Sequence, residues 1–122
     1  MNENKKPAIS ISCKGRKRIR IHRITLHLLE DPDYIQFLVN PVAKMIAVRK
    51  GDPDDYLAIR VYPLDSQIDC FEMRSSGLVR SLNMICSDWK EGYSYRILGE
   101  YDSKNKVALF NLKDAMRDRE DA

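Results

Sequence analysis

The stretch Ile9–Arg23, ISISCKGRKRIRIHR, decides the fold because apolar and polar residues alternate along it in two runs. Successive side chains of a β-strand point to opposite faces, so the apolar residues of each run share one face and the polar residues share the other. The second run places isoleucines between Arg18, Arg20 and His22. Gly15 stands between the runs, where a tight turn often needs a positive φ. The stretch therefore predicts a β-hairpin with one apolar face and one basic face.

Length and composition limit the class of protein. The chain has 122 residues, 43% of them hydrophobic and 32% charged, which suits a single domain over residues 1–122 without room for a large enzyme-type cavity. It has no run of 18 or more apolar residues, and no apolar segment follows the polar start MNENKKP, so we expect a cytoplasmic protein without a membrane span or signal peptide. The three cysteines lack paired spacing and are expected to be reduced.

Positive charge is concentrated near the start of the chain. Residues 1–29 contain eight lysines or arginines and one acid, Glu3. The other 93 residues contain 13 of the 21 basic residues and 17 of the 18 acidic residues. A local basic segment of this kind attracts a phosphate backbone, although a solvated, solubilising surface has the same composition.

Beyond the hairpin, the sequence predicts two helices and several strands. A short helix follows Arg23 and ends at residues 31–33, Asp-Pro-Asp, because the residue before a proline avoids helical geometry and aspartates favour turns. A second helix begins at Ser75 or Ser76, either of which can cap it. The predicted strands cover 34–39, 45–48, 56–62, 68–73, 93–99 and 107–112. The charged tail, 113–122, is expected to fray or to be disordered.

Both halves of the chain show the same order of elements: strand, strand, short helix, strand, strand. This order covers residues 8–49, which include the basic hairpin, and residues 56–112, and it indicates an internal duplication. Each half alone is small for a stable core. The sequence therefore predicts an α+β domain, mostly β, in which two pseudo-repeats pack as one swapped-hairpin-like β-barrel.

Several short motifs in the chain match those of a known family. They are Gly15-Arg16 at the first turn, Arg18-Ile19-Arg20-Ile21 in the second strand, Leu26 and Leu29 in the short helix, and Trp89-Lys90-Glu91-Gly92 before a later strand. In these residues the chain resembles the AbrB, MazE and SpoVT group of swapped-hairpin transcription factors. The second half lacks a basic strand, since Cys70–Arg74 holds one base and one acid, so a symmetric, two-sided grip on DNA is not expected.

The resemblance implies a bacterial-type transcriptional regulator that binds duplex DNA with the hairpin of residues 9–23. The residues that it assigns to the contact are Lys14, Arg16, Arg18, Arg20 and Arg23, and Lys17 joins them on charge alone. Guanidinium groups suit this role because they make bidentate contacts to phosphates and guanine edges. RNA and other anionic partners fit the same charge.

A second hypothesis belongs to a different class. The chain could be a non-enzymatic protein-interaction module, antitoxin-like or a mobile-element accessory protein, whose basic face meets an acidic partner. Family members commonly form homodimers that interleave hairpins, whereas a tandem duplication satisfies the same interleaving within one chain. The sequence is therefore compatible with a pseudo-twofold monomer or with a homodimer.

Other candidate sites have less support in the sequence. His22 and His27 lie near Cys13 but without the spacing of a metal-binding motif, so no metal site is expected. Cys70 and Cys86 have no neighbouring histidine that could act as a base, and we interpret them as core residues. The sequence contains no phosphate-binding loop, dinucleotide fingerprint or catalytic triad pattern. We expect neither enzyme activity nor a cofactor.

Overall fold

The computed structural model describes residues 5–15, 17–62 and 69–117. These residues form ten strands and two α-helices, which makes the protein α+β and mostly β, as the sequence predicts. In chain order the elements are β1 (Ala8–Ser12), β2 (Arg18–His22), α1 (Arg23–Leu28), β3 (Tyr34–Asn40), β4 (Met45–Lys50), β5 (Ile59–Arg60), β6 (Cys70–Arg74), α2 (Ser76–Ile85), β7 (Ser94–Leu98), β8 (Glu100–Asp102), β9 (Val107–Asn111) and β10 (Met116–Arg117).

Sheet A is antiparallel and has the strand order β10-β7-β1-β2-β6. Its central strand is β1, in which Ile9 is paired with Ile21 of β2 on one side and with Ile97 of β7 on the other. The predicted hairpin of β1 and β2 is confirmed. Both of its strands nevertheless have a further neighbour, because β6 pairs along the other side of β2.

Sheet B is also antiparallel, with the order β5-β3-β4-β9-β8. The hairpin of β3 and β4 is confirmed, and its turn is closed by the side chain of Asn40, which accepts hydrogen bonds from the N–H groups of Val42 and Ala43 at 3.1 and 3.0 Å. Such side-chain contacts are the reason that asparagine favours turns. The predicted strand at 107–112 becomes β9, which pairs with β4.

Apolar side chains from both sheets and from α2 form one buried cluster. Ile11 and Ile19 of sheet A, Val48 and Phe110 of sheet B, and Leu82 of α2 are all fully buried. Burial of a side chain of this size stabilises the fold by about 1.5–3 kcal/mol. The predicted second helix is confirmed, and its cap is the Ser75 hydroxyl, which accepts the N–H of Leu78 at 3.3 Å.

An aromatic pair fixes the segment between α2 and β7. The rings of Trp89 and Tyr95 are stacked, with centroids 4.8 Å apart and planes 10° from parallel. The Tyr95 hydroxyl also accepts a hydrogen bond from the N–H of Lys90 at 2.8 Å. The segment is therefore held against the inner face of sheet A, to which Tyr95 belongs.

The second half of the chain distributes its strands differently from the first half. β5 joins sheet B beside β3, whereas β6 joins sheet A beside β2. Helix α1 leads from sheet A to sheet B, whereas α2 connects two strands of sheet A. The turn that the sequence predicts at residues 63–66 lies outside the described residues.

Residues 113–117 of the charged tail are structured, contrary to the prediction that the tail frays or is disordered, and residues 118–122 lie outside the described residues. Leu112–Asp114 form a 3₁₀ turn, and Met116 and Arg117 then pair with Arg96 and Tyr95 of β7. The strand β10 is too short to show an alternating pattern in the sequence. Its backbone partner on β7, rather than burial of its own side chains, holds it in place.

Candidate nucleic-acid interface

Four arginines from three strands share the outer face of sheet A. Arg20 on β2 is paired with Ser10, and Ser10 is paired in turn with Arg96 on β7. Arg18, two residues before Arg20, is paired with Arg74 on β6. Paired residues of neighbouring strands lie on the same face of a sheet, as do residues two apart on one strand. We call this surface the arginine face, and its members are Arg18, Arg20, Arg74 and Arg96.

The centre of the arginine face is closed to solvent. Ser10 and Ser12 are only 7% and 6% exposed, although the alternation in the sequence predicts that they belong to a solvated polar face. The reason is the position of β1 in the middle of sheet A, with longer side chains on the strands at both sides. The Ser10 hydroxyl lies 2.8 Å from Nε2 of His22 and forms a hydrogen bond with it.

One carboxylate, that of Glu72 on β6, lies among three of these arginines. Its oxygens are 3.4 Å from Nε of Arg20, 3.6 Å from Nε of Arg74 and 3.8 Å from a terminal nitrogen of Arg18. The side chains of Glu72, Arg18 and Arg20 are each about one-third exposed, at 31%, 30% and 34%. The basic face that the sequence predicts is therefore partly neutralised by a residue from the other half of the chain.

Arg96 is the cation of the arginine face that is farthest from Glu72. It is exposed, and within the described part of the chain no carboxylate lies within ion-pair distance of it. Four guanidinium groups and one carboxylate leave this face with a net positive charge. A charge of this sign attracts anions from solution.

A cleft of about 360 Å³ lies beside the turn of the β1–β2 hairpin, and we call it the tip cleft. Residues from the turn, β6 and α2 line it: Gly15, Lys17, Arg74, Ser76 and Arg80. Three of these five residues carry a positive charge, and none of them carries a negative charge. Arg80 is exposed on α2, and no described carboxylate lies within ion-pair distance of it.

The backbone of the hairpin turn and the start of α2 shape the tip cleft. Gly15 has a φ of +53°, which a residue with a side chain rarely adopts, and nothing lies within 4 Å of the place that a Cβ would take. At the helix, Ser75 caps the N–H of Leu78 and its carbonyl accepts the N–H of Val79 at 3.0 Å. The cleft therefore has an open wall at the turn and a capped helix terminus opposite.

Lys17 is held in a fixed position at this cleft. Its Nζ donates a hydrogen bond of 2.9 Å to the Glu91 carboxylate, and only 18% of its side chain is exposed. The Glu91 side chain is 76% exposed, so the pair is screened by solvent on one side. Lys17 is thus oriented by its partner but retains one face toward the cleft.

The other residues named from the sequence lie elsewhere or outside the described ranges. Arg23 begins α1 at the opposite end of β2 from the hairpin turn, and it lines a separate cleft of about 320 Å³ together with Asp31 and Asp33. Lys14 is half-buried in the hairpin turn. Arg16 lies outside the described residues. The structure therefore brings together Lys17, Arg18 and Arg20, and it separates Arg23 from them.

Three cations of the arginine face and the tip cleft were not named from the sequence: Arg74, Arg80 and Arg96. Each belongs to the second half of the chain, which has an excess of acidic residues. The alternation of Glu72 and Arg74 along a strand is a visible signal in the sequence. No sequence pattern indicates that β6 lies beside β2, because the two strands are far apart in the chain.

Cys13 and Cys86 are buried in the core, whereas Cys70, which the sequence was interpreted as placing in the core, is only half-buried and lies on the same face of sheet A as Glu72, two residues before it on β6. Burial raises the pKa of Cys13, Cys70 and Cys86 above the ordinary value for a thiol. The Cys13 thiol donates a weak hydrogen bond to Oδ1 of Asn83 at 3.7 Å. Among the described residues, no three histidine, cysteine, aspartate or glutamate side chains are grouped so that they could hold a metal ion.

We compared the chain with protein-family models, curated proteins and solved structures, and none of them matches it. In the described part of the chain, neither α1 nor α2 is long and apolar enough to cross a membrane.

Proposed function

We propose that this protein is a DNA-binding transcriptional regulator that contacts duplex phosphates with the arginine face and the tip cleft. The observation that carries the proposal is the convergence of cations from four separate elements, β2, β6, β7 and α2, on one side of sheet A and its edge. Cations gathered from distant parts of a chain form a larger positive surface than the hairpin alone. Such a surface supplies the electrostatic part of nucleic-acid affinity.

The spacing of the arginines suits a phosphate backbone. Arg18 and Arg20 are two residues apart on β2, which corresponds to roughly 7 Å at about 3.4 Å per residue. Along one strand of B-form DNA the phosphates advance by about 3.4 Å each along the axis. Because the backbone winds around that axis, adjacent phosphates lie farther apart in space than this axial rise, so two neighbouring arginines on one side of a strand are spaced to reach adjacent phosphates.

The strand order favours a particular mode of contact. A two-stranded ribbon can enter the major groove, but β1 and β2 each have a further neighbour in sheet A. We therefore expect the arginines to contact phosphates from outside the groove, which positions a protein without reading its sequence. We expect the hairpin turn to make the contacts to base edges, because Lys14 and Lys17 lie there on either side of residues 15 and 16.

The relation to the AbrB group and the internal duplication belong to the same proposal. Each half of the chain contributes two main strands to sheet A, β1 and β2 from one half and β6 and β7 from the other. The proposal includes a swapped-hairpin-like arrangement of these units, either within a pseudo-twofold monomer or between two chains of a homodimer. Sedimentation equilibrium distinguishes these two assemblies by mass.

The direct test is fluorescence anisotropy with a labelled duplex of random sequence, at low and near-physiological salt. The variant Arg20→Gln/Arg96→Gln removes two charges from the arginine face, and Lys104→Gln/Lys106→Gln removes two exposed charges from the β8–β9 turn as a matched control. We expect the first variant to bind about 30-fold to 100-fold more weakly and to lower the salt dependence by about two released counterions. The control should bind nearly as the wild type does. Absence of wild-type binding at low salt, or equal losses in both variants, would contradict the proposal.

A second candidate function is binding of an acidic protein, as an antitoxin-like or mobile-element accessory module. The observation that favours it is Glu72, because its carboxylate already lies within 3.8 Å of three arginines and shows that a carboxylate fits among them. Selection of preferred duplex sequences from a random pool separates the two functions. Enrichment of a sequence supports the regulator, whereas failure to retain any duplex from the pool supports the protein partner.

A further inference from the structure

We infer that the tip cleft binds one backbone phosphate, and that Arg80 on α2 makes the charge-assisted contact to this phosphate. The inference rests on the proposed function for the source of the phosphate, which is nucleic acid. The existence of an anion site in the cleft is an independent statement. It depends only on the residues that line the cleft.

The first argument is the charge of the lining. Lys17 from the hairpin, Arg74 from β6 and Arg80 from α2 face one cleft although they belong to three separate elements. Like charges repel, so bringing three cations together is unfavourable unless anions compensate them. Glu91 compensates Lys17 and Glu72 lies beside Arg74. Among described residues no carboxylate compensates Arg80 in this way, so one positive charge at the cleft is available to a ligand.

The second argument concerns the neutral donors at the same place. Ser76 lines the cleft and is the first residue of the ten-residue helix α2. The first N–H groups of a helix have no partner within it. Here the Ser75 hydroxyl takes the N–H of Leu78, and no bond is seen for the N–H of Ser76 or Gly77 within the described ranges. These donors add to the cationic lining and do not carry the inference without it.

The third argument is size. The volume of about 360 Å³ falls within the range of roughly 300–1,000 Å³ that is common for ligand clefts. It exceeds what one phosphate group fills, and the remaining space suits the sugar attached to it. Gly15 forms part of the cleft wall and has no side chain, so the backbone of a nucleic acid can approach the turn closely.

The position of the cleft also agrees with one continuous contact. Arg74 belongs both to the tip cleft and to the arginine face, where it is paired with Arg18. A nucleic-acid strand that lies along the arginine face would reach the cleft without a break in positive charge. The cleft then adds one fixed phosphate position at the edge of the sheet.

The experiment compares Arg80→Gln with Lys104→Gln in duplex binding at several salt concentrations. Both residues are exposed, and glutamine keeps the helix propensity of position 80. We expect Arg80→Gln to weaken binding about tenfold and to lower the salt dependence by about one counterion, since one charge-assisted contact is lost. Lys104→Gln should bind as the wild type does. If wild type binds DNA and Arg80→Gln equals Lys104→Gln, the inference is wrong, and DNA binding is left to the arginine face alone.

A titration without DNA tests the cleft when no duplex binds. Inorganic pyrophosphate is added to ¹⁵N-labelled wild type and to Arg80→Gln, and the amide signals of Gly15, Ser76 and Gly77 are followed. Saturable shifts at these amides in the wild type, with a pyrophosphate affinity at least severalfold lower in the variant, support a phosphate site in the cleft. In that case the natural ligand carries a phosphate group but is not DNA. Shifts that are absent, or equal in both proteins, overturn the site itself.

Discussion

Glu72 accepts a 3.4 Å hydrogen bond from Nε of Arg20, its direct cross-strand neighbour on sheet A. The same carboxylate lies within ion-pair distance of Arg18 and Arg74. In the proposed complex a phosphate takes the place that this carboxylate occupies in the free protein. A ligand anion has to compete with it for the three guanidinium groups.

Replacement of this carboxylate should strengthen anion binding. We predict that Glu72→Gln raises duplex affinity about threefold to tenfold, because removal of one repulsive charge at the contact changes the binding free energy by about 1 kcal/mol. Glu100→Gln is the matched control, since Glu100 pairs with Lys6 and lies on sheet B. Anisotropy titrations give both affinities, and thermal unfolding verifies that both variants fold. An equal gain in the two variants would attribute the effect to net charge alone.

Thr25 fixes the start of β1 to α1. The side chain is fully buried, and its hydroxyl accepts the N–H of Ala8 and donates to the Ala8 carbonyl, both at 2.8 Å. Thr25→Val keeps the shape but leaves two backbone groups without partners. We predict a loss of about 2–4 kcal/mol in the free energy of unfolding, measured by urea denaturation. Thr25→Ser retains the hydroxyl and should lose only about 1 kcal/mol. Equal stability of the valine and serine variants would refute this role.

The buried thiols should make stability depend on pH in the alkaline range. Burial raises the pKa of Cys13, Cys70 and Cys86 in the folded state, whereas the unfolded chain loses these protons near pH 8.5. Above that pH the unfolded state binds fewer protons than the folded state, so the free energy of unfolding falls as the pH rises toward the folded pKa values. The measurement is chemical denaturation between pH 7 and 10. Cys70→Ala and Cys86→Ala should each flatten the decline, and profiles parallel to the wild type would contradict the prediction.

Gly99 leaves no space for a side chain where the chain passes from sheet A to sheet B. A Cβ at this position would meet the carbonyl oxygen of Leu109 and come within 2.6 Å of the Phe110 ring. We predict that Gly99→Ala lowers the free energy of unfolding by about 2 kcal/mol or more. Gly77→Ala is the control of opposite sign, because nothing lies near that position in α2 and alanine favours a helix by roughly 0.5–1 kcal/mol. A denaturant midpoint of Gly99→Ala that is unchanged or raised relative to the wild type would show that the contact at Gly99 is unimportant.

The parts of the fold that depend on nearby residues could be predicted. Alternation over residues 9–23 predicted the first hairpin, turn composition at 40–44 predicted the second, and Ser75 or Ser76 was predicted to start α2. Each of these features depends on contacts between residues close in the chain, which a sequence pattern records. The prediction that the charged tail frays was wrong for residues 113–117 for the complementary reason: β10 is held by backbone pairing with β7, and that pairing has no side-chain pattern.

Only the part of the candidate surface that comes from the first half of the chain could be predicted from the sequence. Arg18 and Arg20 follow from alternation on β2. The carboxylate among them, and the added cations Arg74 and Arg80, follow from the adjacency of β6 to β2, which is a long-range pairing. The burial of Ser10 has the same origin, because alternation identifies the two faces of a strand but not whether the strand is central in its sheet.

The central position of β1 also has a consequence for synthesis of the chain on the ribosome. Ile9 meets Ile21 early, but its other partner, Ile97, is translated much later. One edge of β1 therefore has no β7 beside it until residues 94–98 have emerged. The nascent hairpin then has an unpaired strand edge and isoleucines that are buried only in the folded protein. Chaperones shield segments of this kind.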